Sequence, residues 1–438
     1  KEISREMDLV TRDWHLFSIR GEHFLFNSLG SLYQLDEEAR SAMDTLYRGG
    51  PLDISEDVYG EIEEILSSYK PLEIYEPEDL RLKSLCLNVS HSCNMSCSYC
   101  FATHNLSYRM SLMPLEIACR AIDFLIDSSK DIKNIEIDFF GGEPLLNLEV
   151  VKNATIYGKT RALNSGKNLR FTLTTNGLLL DSKTLDLLDE LEISIVLSLD
   201  GGEDTHNKFR RLLNGGGSFK TILPNAKELA ERRQDGGYYI RGTYTAETLN
   251  FSDSFKKFVD FGFRYISLEP VVTNDPKLSI REEHLPVLRA EYQKIAEECL
   301  SRDVKFFHFE LPMEEGACLP RLARGCGAGV EYMAVTPSGE LYPCHQFVGY
   351  EGFKLGDLYT GHIDENLRKQ FLRLNSIDSK EACNNCWVRY LCGGGCLANN
   401  YIMSKNITEP YSTGCEIQKM RIEYALWLRA KKSLEVKV

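Results

Sequence analysis

The sequence predicts an α/β protein: a partial (β/α)6 barrel in the middle, a small winged-helix-like unit before it and a cysteine-rich unit behind. Three observations carry this. Apolar runs of strand length alternate with segments of helical period from Leu85 to Leu268, the pattern of a parallel sheet with helices outside. Three thiols, Cys93, Cys97 and Cys100, close a tight C-x3-C-x2-C loop directly after the first of those runs. Of the fourteen cysteines in the chain, eight lie between Cys318 and Cys415, where the alternation has stopped.

Composition limits the classes open to such a chain. Hydrophobic content of 43% and charged content of 26% are those of a globular protein. A net charge of −13 argues against nucleic acid as a partner, since its binders show a basic footprint. No apolar run reaches the ~20 residues that span a bilayer, and Lys1 to Arg12 is charged rather than signal-like, so a cytoplasmic location without a membrane partner is expected. In that compartment many cysteines point to metal ligation over disulfides.

Residues 1–75 read as three strands, Trp14 to Ile19, Phe24 to Phe26 and Ser31 to Leu35, with a turn at Gly21. Asp36 stands where an N-cap belongs, ahead of a helix from Glu37 to about Tyr47 that stops at Gly49-Gly50. A second helix from Glu56 to about Ser68 carries Val58, Ile62 and Ile65 on one face. Three strands followed by helices suggest the winged-helix-like unit; a purely structural extension is the alternative. Seven Lys/Arg against sixteen Asp/Glu leave it at −9, which repels phosphate and disfavours a DNA-binding wing. Pro71 to Asp79 reads as a linker.

The barrel, expected over residues 80–310, takes its strands from Leu85 to Val89, Ile135 to Phe140, Leu169 to Thr174, Ile193 to Leu199, Tyr238 to Tyr244 and Tyr265 to Leu268. Right-handed crossovers curl such a sheet toward a barrel, although six units are too few for eight-fold closure. Ligands bind at the carboxyl ends of parallel strands, and polar segments stand there. The second strand ends in Phe139-Phe140-Gly141-Gly142-Glu143-Pro144, whose glycines let backbone carbonyls approach a ligand while Glu143 adds an anion. The third ends in Thr174-Thr175-Asn176-Gly177, read either as ligand contact or as a turn, and the fourth in Ser198-Leu199-Asp200-Gly201. His206 and Arg210 follow, the arginine either pairing with a carboxylate or forming a solvated helix charge, and Glu269-Pro270 closes the sixth strand.

Three thiolates on so short a loop can hold three corners of a four-iron cubane and leave the fourth iron open; a structural zinc with a distant fourth ligand, or unrelated core cysteines, are the alternatives. In the tail, expected over residues 316–430, Cys326 and Cys344 flank a hairpin turn at Pro337-Ser338-Gly339. Cys383-x2-Cys386-x5-Cys392-x3-Cys396 and then Cys415 follow. A zinc ribbon accounts for the Cys383/Cys386 pair but not for all seven. Cys86, Cys119 and Cys299 fall in strand or helix patterns and read as core.

The cysteine loop with Tyr99, the Gly141-Gly142-Glu143-Pro144 turn and the Ser198-Leu199-Asp200 segment together resemble the signature of the radical S-adenosylmethionine (SAM) superfamily, and the seven tail spacings are similar to its SPASM extension. The resemblance implies that SAM chelates the open iron and is cleaved by one electron to methionine and a 5′-deoxyadenosyl radical. It implies SAM contacts from Tyr99, Gly141, Gly142 and Glu143, ribose contacts from Ser198 and Asp200, and Arg210 near a carboxylate. It also implies three [4Fe-4S] clusters: Cys93/Cys97/Cys100 for SAM, Cys326/Cys344/Cys396 for a first auxiliary cluster and Cys383/Cys386/Cys392/Cys415 for a second. Cys318 either closes the first auxiliary cluster or leaves it open to a substrate thiolate.

The first unit resembles the recognition element of enzymes that modify ribosomally made peptides, where the leader is held as an added strand. As a whole the chain looks most like maturases that form intramolecular thioethers in Cys-rich precursor peptides, reduced by a flavodoxin- or ferredoxin-type carrier. A formylglycine-generating sulfatase maturase, an epimerase and a carbon-carbon crosslinking maturase are the enzyme alternatives. A non-catalytic iron-sulfur carrier or peptide scaffold is the alternative from another class.

Overall fold

The computed structural model describes residues 13–48, 55–67, 80–102, 111–311 and 323–435. The expected helix stop at Gly49-Gly50, the linker from Pro71 to Asp79 and Cys318 lie outside them. The chain opens with an antiparallel meander of β1 (Trp14–Ile19), β2 (Glu22–Asn27) and β3 (Leu32–Leu35). Arg20 and Gly21 join the first two at φ 54° and 77°, the left-handed pair whose twist matches a two-residue hairpin. Helix α1 (Glu37–Tyr47) starts as expected at Asp36, whose carboxylate accepts the Ala39 N–H at 2.8 Å, and α2 (Glu56–Ser67) follows.

Strand alternation gives this small sheet two dry faces. Trp14 and Leu25 pack with Ala42, Met43 and Ile62, and Val58 and Ile65 join them on the predicted face of α2. Phe17, Ile19, Phe24 and Phe26 point the other way, into the main core of the molecule. The sheet is thus a shared wall between two cores. Sequence alternation predicted strands here, yet the apolar residues of the second face had nothing local to cover them.

Next come β4 (Ser84–Ser90), β5 (Met95–Cys97), α3 (Leu115–Ser128), β6 (Asn134–Gly141), α4 (Leu148–Asn164), β7 (Asn168–Thr175), α5 (Ser182–Glu190) and β8 (Ile193–Ser198). They are followed by α6 (Glu203–Phe209), β9 (Arg210–Leu212), α7 (Phe219–Arg232), β10 (Tyr238–Tyr244), α8 (Phe251–Asp260), β11 (Tyr265–Pro270), α9 (Leu285–Ser301) and β12 (Lys305–Phe306). The six predicted strands β4, β6, β7, β8, β10 and β11 lie side by side in chain order and all parallel, with β12 added at one edge. Leu85, Leu87, Val89, Ile135, Ile137 and Phe139 are buried under the helices, each worth roughly 1.5–3 kcal/mol of burial. The opposite strand faces carry Phe140, Thr174, Ser198, Arg241, Thr243 and Glu269, which line the concave interior.

The sheet does not end at β4. Strand β13 (Tyr332–Val335), from the cysteine-rich tail, pairs with β4 in parallel from Tyr332↔Ser84 to Val335↔Leu87. Then β14 (Glu340–Tyr342), β15 (Gly356–Asp357) and β16 (His362–Ile363) extend it antiparallel to eleven strands. An open parallel sheet would leave the main-chain groups of β4 unpaired, and the tail hairpin satisfies them. Its turn falls on Pro337-Ser338-Gly339 as predicted, with Gly339 at φ 87°. Helices α10 (Glu365–Asn375), α11 (Arg389–Cys392), α12 (Leu397–Ser404) and α13 (Ser412–Glu435) complete the tail, and α13 packs along α9. Among the described residues no helix is long and apolar enough to cross a membrane.

Candidate active site

The C-x3-C-x2-C loop is held by backbone rather than by side chains. β5 pairs antiparallel with β9, which sets Cys97 opposite Arg210, and the Ser98 N–H donates to the Phe209 carbonyl at 3.0 Å. Gly142 N–H donates to Ser90 O at 2.7 Å and Glu143 N–H to Ser92 O at 2.9 Å. A Cβ on Gly141 would stand 2.1 Å from Ser90 O, and one on Gly142 2.3 Å from Ser92 O. The two glycines therefore serve first to bring the end of β6 against the cysteine loop, a closer approach than the ligand contact expected from sequence. Asn176 Nδ2 donates to Asn94 Oδ1 at 2.7 Å and reaches the Cys93 sulfur at 3.8 Å.

Behind the loop, half-buried Tyr99 meets the buried Asp200 and Arg210. Tyr99 donates its hydroxyl to Asp200 and receives Arg210 Nη1 at 3.1 Å, while the other Asp200 oxygen accepts the Thr243 N–H at 2.9 Å. Arg210 is 7% exposed and not a solvated helix charge, because pairing with β5 draws it under the cysteine loop. Its buried Nε finds no hydrogen-bond partner among the described residues, and the residue lines the cavity described below. His206 is a satisfied core residue: Nδ1 accepts the Asp200 N–H at 3.3 Å and Nε2 meets Ser218 Oγ at 2.9 Å. Burial, with Arg210 nearby, pushes its pKa down to about 3.

Glu143 is fully buried, and its oxygens accept from Leu145 N at 3.0 Å, Thr175 Oγ1 at 2.8 Å and Asn176 N at 2.7 Å. Burial raises the carboxyl pKa of Glu143 and of Asp200 against these donors. Neither carboxylate is among the residues that line the cavity: Glu143 ties the β6 turn to the β7 turn, and each Asp200 oxygen accepts one hydrogen bond, from Tyr99 and from Thr243. Ser198, Gly141, Gly142, Tyr99 and Arg210 do reach the wall.

That wall encloses a cavity of about 610 Å³. Cys93, Cys97 and Cys100 line it together with Cys326, Cys392, Cys396 and Cys415, and Ser198, Arg241, Thr243 and Glu269 share the same wall. Sequence reading missed Arg241 and Thr243. Their signal was the polar residue at every second position of an otherwise apolar parallel strand, which marks the face that looks inward. Glu269 meets His308 Nε2 at 2.9 Å and Arg421 Nη2 at 3.6 Å. Burial alone would raise its pKa, but His308, Arg421 and Arg241 hold it well below the usual carboxylate range.

The tail thiols fall into two sets. Cys344 and Cys396 feel each other and Cys326, whereas Cys415 feels Cys392, Cys383 and Cys386. Burial pushes the pKa of Cys396 and Cys383 up to about 11 and of Cys415 to about 12, so free thiols would stay protonated there and need a cation to ionise. Every described cysteine is free of disulfide, with Cys86 and Cys299 buried in the core as expected. Among the described residues no three Cys, His, Asp or Glu converge as ligands of a single ion do; thiols in sets of three and four are a donor set suited to iron-sulfur clusters.

The first unit docks beside the second thiol set. Asp13 forms a buried ion pair with Arg389, which stands between Cys386 and Cys392. His15 stacks on Trp387 at 3.8 Å and binds Glu423 at 2.8 Å, and Trp427 Nε1 donates to Glu22 at 2.9 Å. Strand β3 ends the small sheet, so one of its edges is unpaired among the described residues.

Two family models match this chain, the radical SAM superfamily over residues 87–250 and the SPASM iron-sulfur cluster-binding domain over residues 326–387. An uncharacterised protein of Methanocaldococcus jannaschii is 30% identical over 208 residues, 47% of this chain and 67% of that one. A cysteine-type anaerobic sulfatase-maturating enzyme of Clostridium novyi is 24% identical, covering 73% of this chain and 89% of its own. Among solved structures, anSMEcpe with bound AdoMet aligns with a TM-score of 0.67 at 22% identity, over 82% of this chain and 96% of that one. Streptococcus suis SuiB bound to precursor peptide SuiA aligns with a TM-score of 0.54 at 18% identity, over 92% and 98%.

Proposed function

Because the chain belongs to the radical SAM superfamily, as an enzyme of that superfamily with a SPASM domain, we propose that it forms intramolecular thioether bonds, cysteine sulfur to carbon, in a ribosomally made Cys-rich precursor peptide. The observation that carries this reading is the single cavity that joins the Cys93/Cys97/Cys100 loop to Cys326 and Cys396. Cys326, Cys344 and Cys396 are three thiols, one short of closing a cubane, which suits capture of a peptide thiolate opposite the SAM loop. With three [4Fe-4S] clusters and SAM bound, the cofactors supply the carbon-hydrogen abstraction and take up the surplus electron, an external flavodoxin- or ferredoxin-type carrier providing the first one.

The chain's own part is positioning. Ser198 and the Gly141-Gly142 backbone hold SAM against the loop, and the free Nε of Arg210 offers a carboxylate its missing bond. Arg241 and Glu269 fix the peptide between the thiol sets. The edge of β3 receives the leader as an added strand, in a recognition unit over residues 1–75 that precedes a barrel over 80–310 and a tail over 316–430. SuiB, which covers nearly the whole chain and was solved with a precursor peptide, supports the peptide substrate.

The similarity to a sulfatase-maturating enzyme favours a second reading, oxidation of one cysteine to formylglycine. One incubation separates them: enzyme, SAM and dithionite without oxygen, with a short Cys-rich peptide encoded beside the gene. Thioether formation releases 5′-deoxyadenosine, removes two hydrogens from the peptide per bond and blocks one thiol to alkylation. An aldehyde in the peptide, or none of these changes, would overturn the thioether reading. Cys318→Ala should leave the iron of the Cys326/Cys344/Cys396 site intact; loss of one cubane's iron would make Cys318 its fourth ligand.

A further inference from the structure

Lys380 has no part in the chemistry described so far, and its side chain is completely buried. Its Nζ donates to the carbonyls of Leu374, Asn375 and Ser376, each at 2.9 Å, at the carboxyl end of α10. Three fixed bonds leave the ammonium no freedom to swing to solvent. Its own main chain opens the thiol loop, since the Cys383 N–H donates to Lys380 O at 2.8 Å.

The other end of the loop closes over the same charge. Gly393, Gly394 and Gly395 follow Cys392 with φ of 68°, 83° and 76°, three successive left-handed residues that fold the chain back on itself. A Cβ on Gly394 would stand 2.9 Å from the Lys380 Nζ. The charge acts on Cys383 and on Cys392, two thiols of the set.

A lysine at a helix end usually keeps its ammonium in water, and burying the full charge costs several kcal/mol, a cost that a nearby negative charge offsets. Four thiolates around a four-iron core leave a net negative charge, which grows by one on reduction. A cation fixed beside them stabilises the reduced form more than the oxidised one.

We infer that Lys380 is a built-in counter-cation of the Cys383/Cys386/Cys392/Cys415 site, which raises the one-electron reduction potential of the cluster held there. The inference rests on the reading that these four thiols hold a cluster. Lys380 is a positioning and tuning residue, not a catalytic one.

The test uses the full chain reconstituted with iron and sulfide, in a Cys93/Cys97/Cys100→Ala background so that only auxiliary signals remain, titrated with dithionite under electron paramagnetic resonance. Lys380→Met should retain iron and lower one of the two midpoints by at least a tenfold change in the reduction equilibrium, about 59 mV for one electron. Lys380→Arg, which keeps the charge, should stay near the parent. If Lys380→Met loses the cluster while Lys380→Arg keeps it, the charge is again what matters. An unchanged midpoint in iron-replete Lys380→Met, or equal loss of iron in both variants, overturns the inference. Should the parent itself prove to have no cluster dependent on Cys383, the cluster reading fails instead, and iron content reports that separately.

Discussion

The two cysteine loops that line the cavity are built by opposite means. The barrel-mouth loop is clamped mainly by main-chain contacts, a strand pair at Cys97 and glycines pressed to Ser90 and Ser92, with one side-chain amide from Asn176 added. The tail loop is set among fixed charges, Lys380 within it and Arg389 paired to Asp13 from the other end of the chain. Backbone clamping leaves the first loop's open side facing the cavity, where a ligand has to enter and leave. Charge and a fourth thiol from α13 surround the second, of which Cys392 and Cys415 also reach the cavity. Geometry protects one and electrostatics the other, and variants of each kind should separate them.

The largest effect belongs to the barrel mouth. Replacing Cys93, Cys97 and Cys100 by Ala should abolish SAM cleavage, read as 5′-deoxyadenosine, while roughly two cubanes' worth of iron stays bound. Cleavage surviving in that variant would mean the two loops are not specialised as described. Asp13→Ala strikes the tail side, removing the buried carboxylate that pairs with the Arg389 guanidinium, and should cost about 3–5 kcal/mol in urea unfolding. If stability were unchanged, docking of the first unit would be incidental.

Gly142→Ala forces a Cβ against Ser92 O and should destabilise by roughly 1–3 kcal/mol, with loss of iron from the barrel-mouth loop and none from the tail. Equal loss from both would show the loops to be coupled. The smallest effect is a pH slope. His206 titrates at about 3 in the folded chain and near ~6.5 when unfolded, so between these values the unfolded state binds more protons. Its contribution to stability is full above pH ~6.5 and falls as pH drops toward 3. His206→Asn should flatten the melting temperature between pH 6.5 and 4.5, and a slope identical to the parent's would show that the histidine is not what titrates.

What was legible in the sequence was local. The six parallel strands, the Asp36 cap, the turn at Gly339 and the thiol spacings all depend on residues close in the chain, and periodicity reports them directly. What escaped depends on distant partners. Nothing near Asp13 or His15 announces Arg389 and Trp387, and the exposed-looking Arg210 is buried only because β9 meets β5. Asp200 carries the polar chemistry expected of a ligand contact, yet Tyr99 and Thr243 use both its oxygens first. The same separation weakens a plain deletion of the first unit as a test of leader binding, since removal would also take Phe17, Phe24 and Phe26 out of the main core and Asp13 away from Arg389.

The parallel pairing of β4 with β13 sets a timetable for synthesis. Ser84 and its partner Tyr332 are about 250 residues apart, so at ~5–20 residues per second a ribosome needs roughly 10–50 s between making the first strand and supplying its neighbour. Through that interval β4 has a bare edge, next to three reactive thiols whose own clamp, β9, arrives much earlier. Iron therefore has the opportunity to enter the barrel-mouth loop on a half-made chain, before the tail sites exist. The bare edge is also the segment on which a holding chaperone would gain most, and pausing translation before residue 332 is where misassembly of this chain should begin.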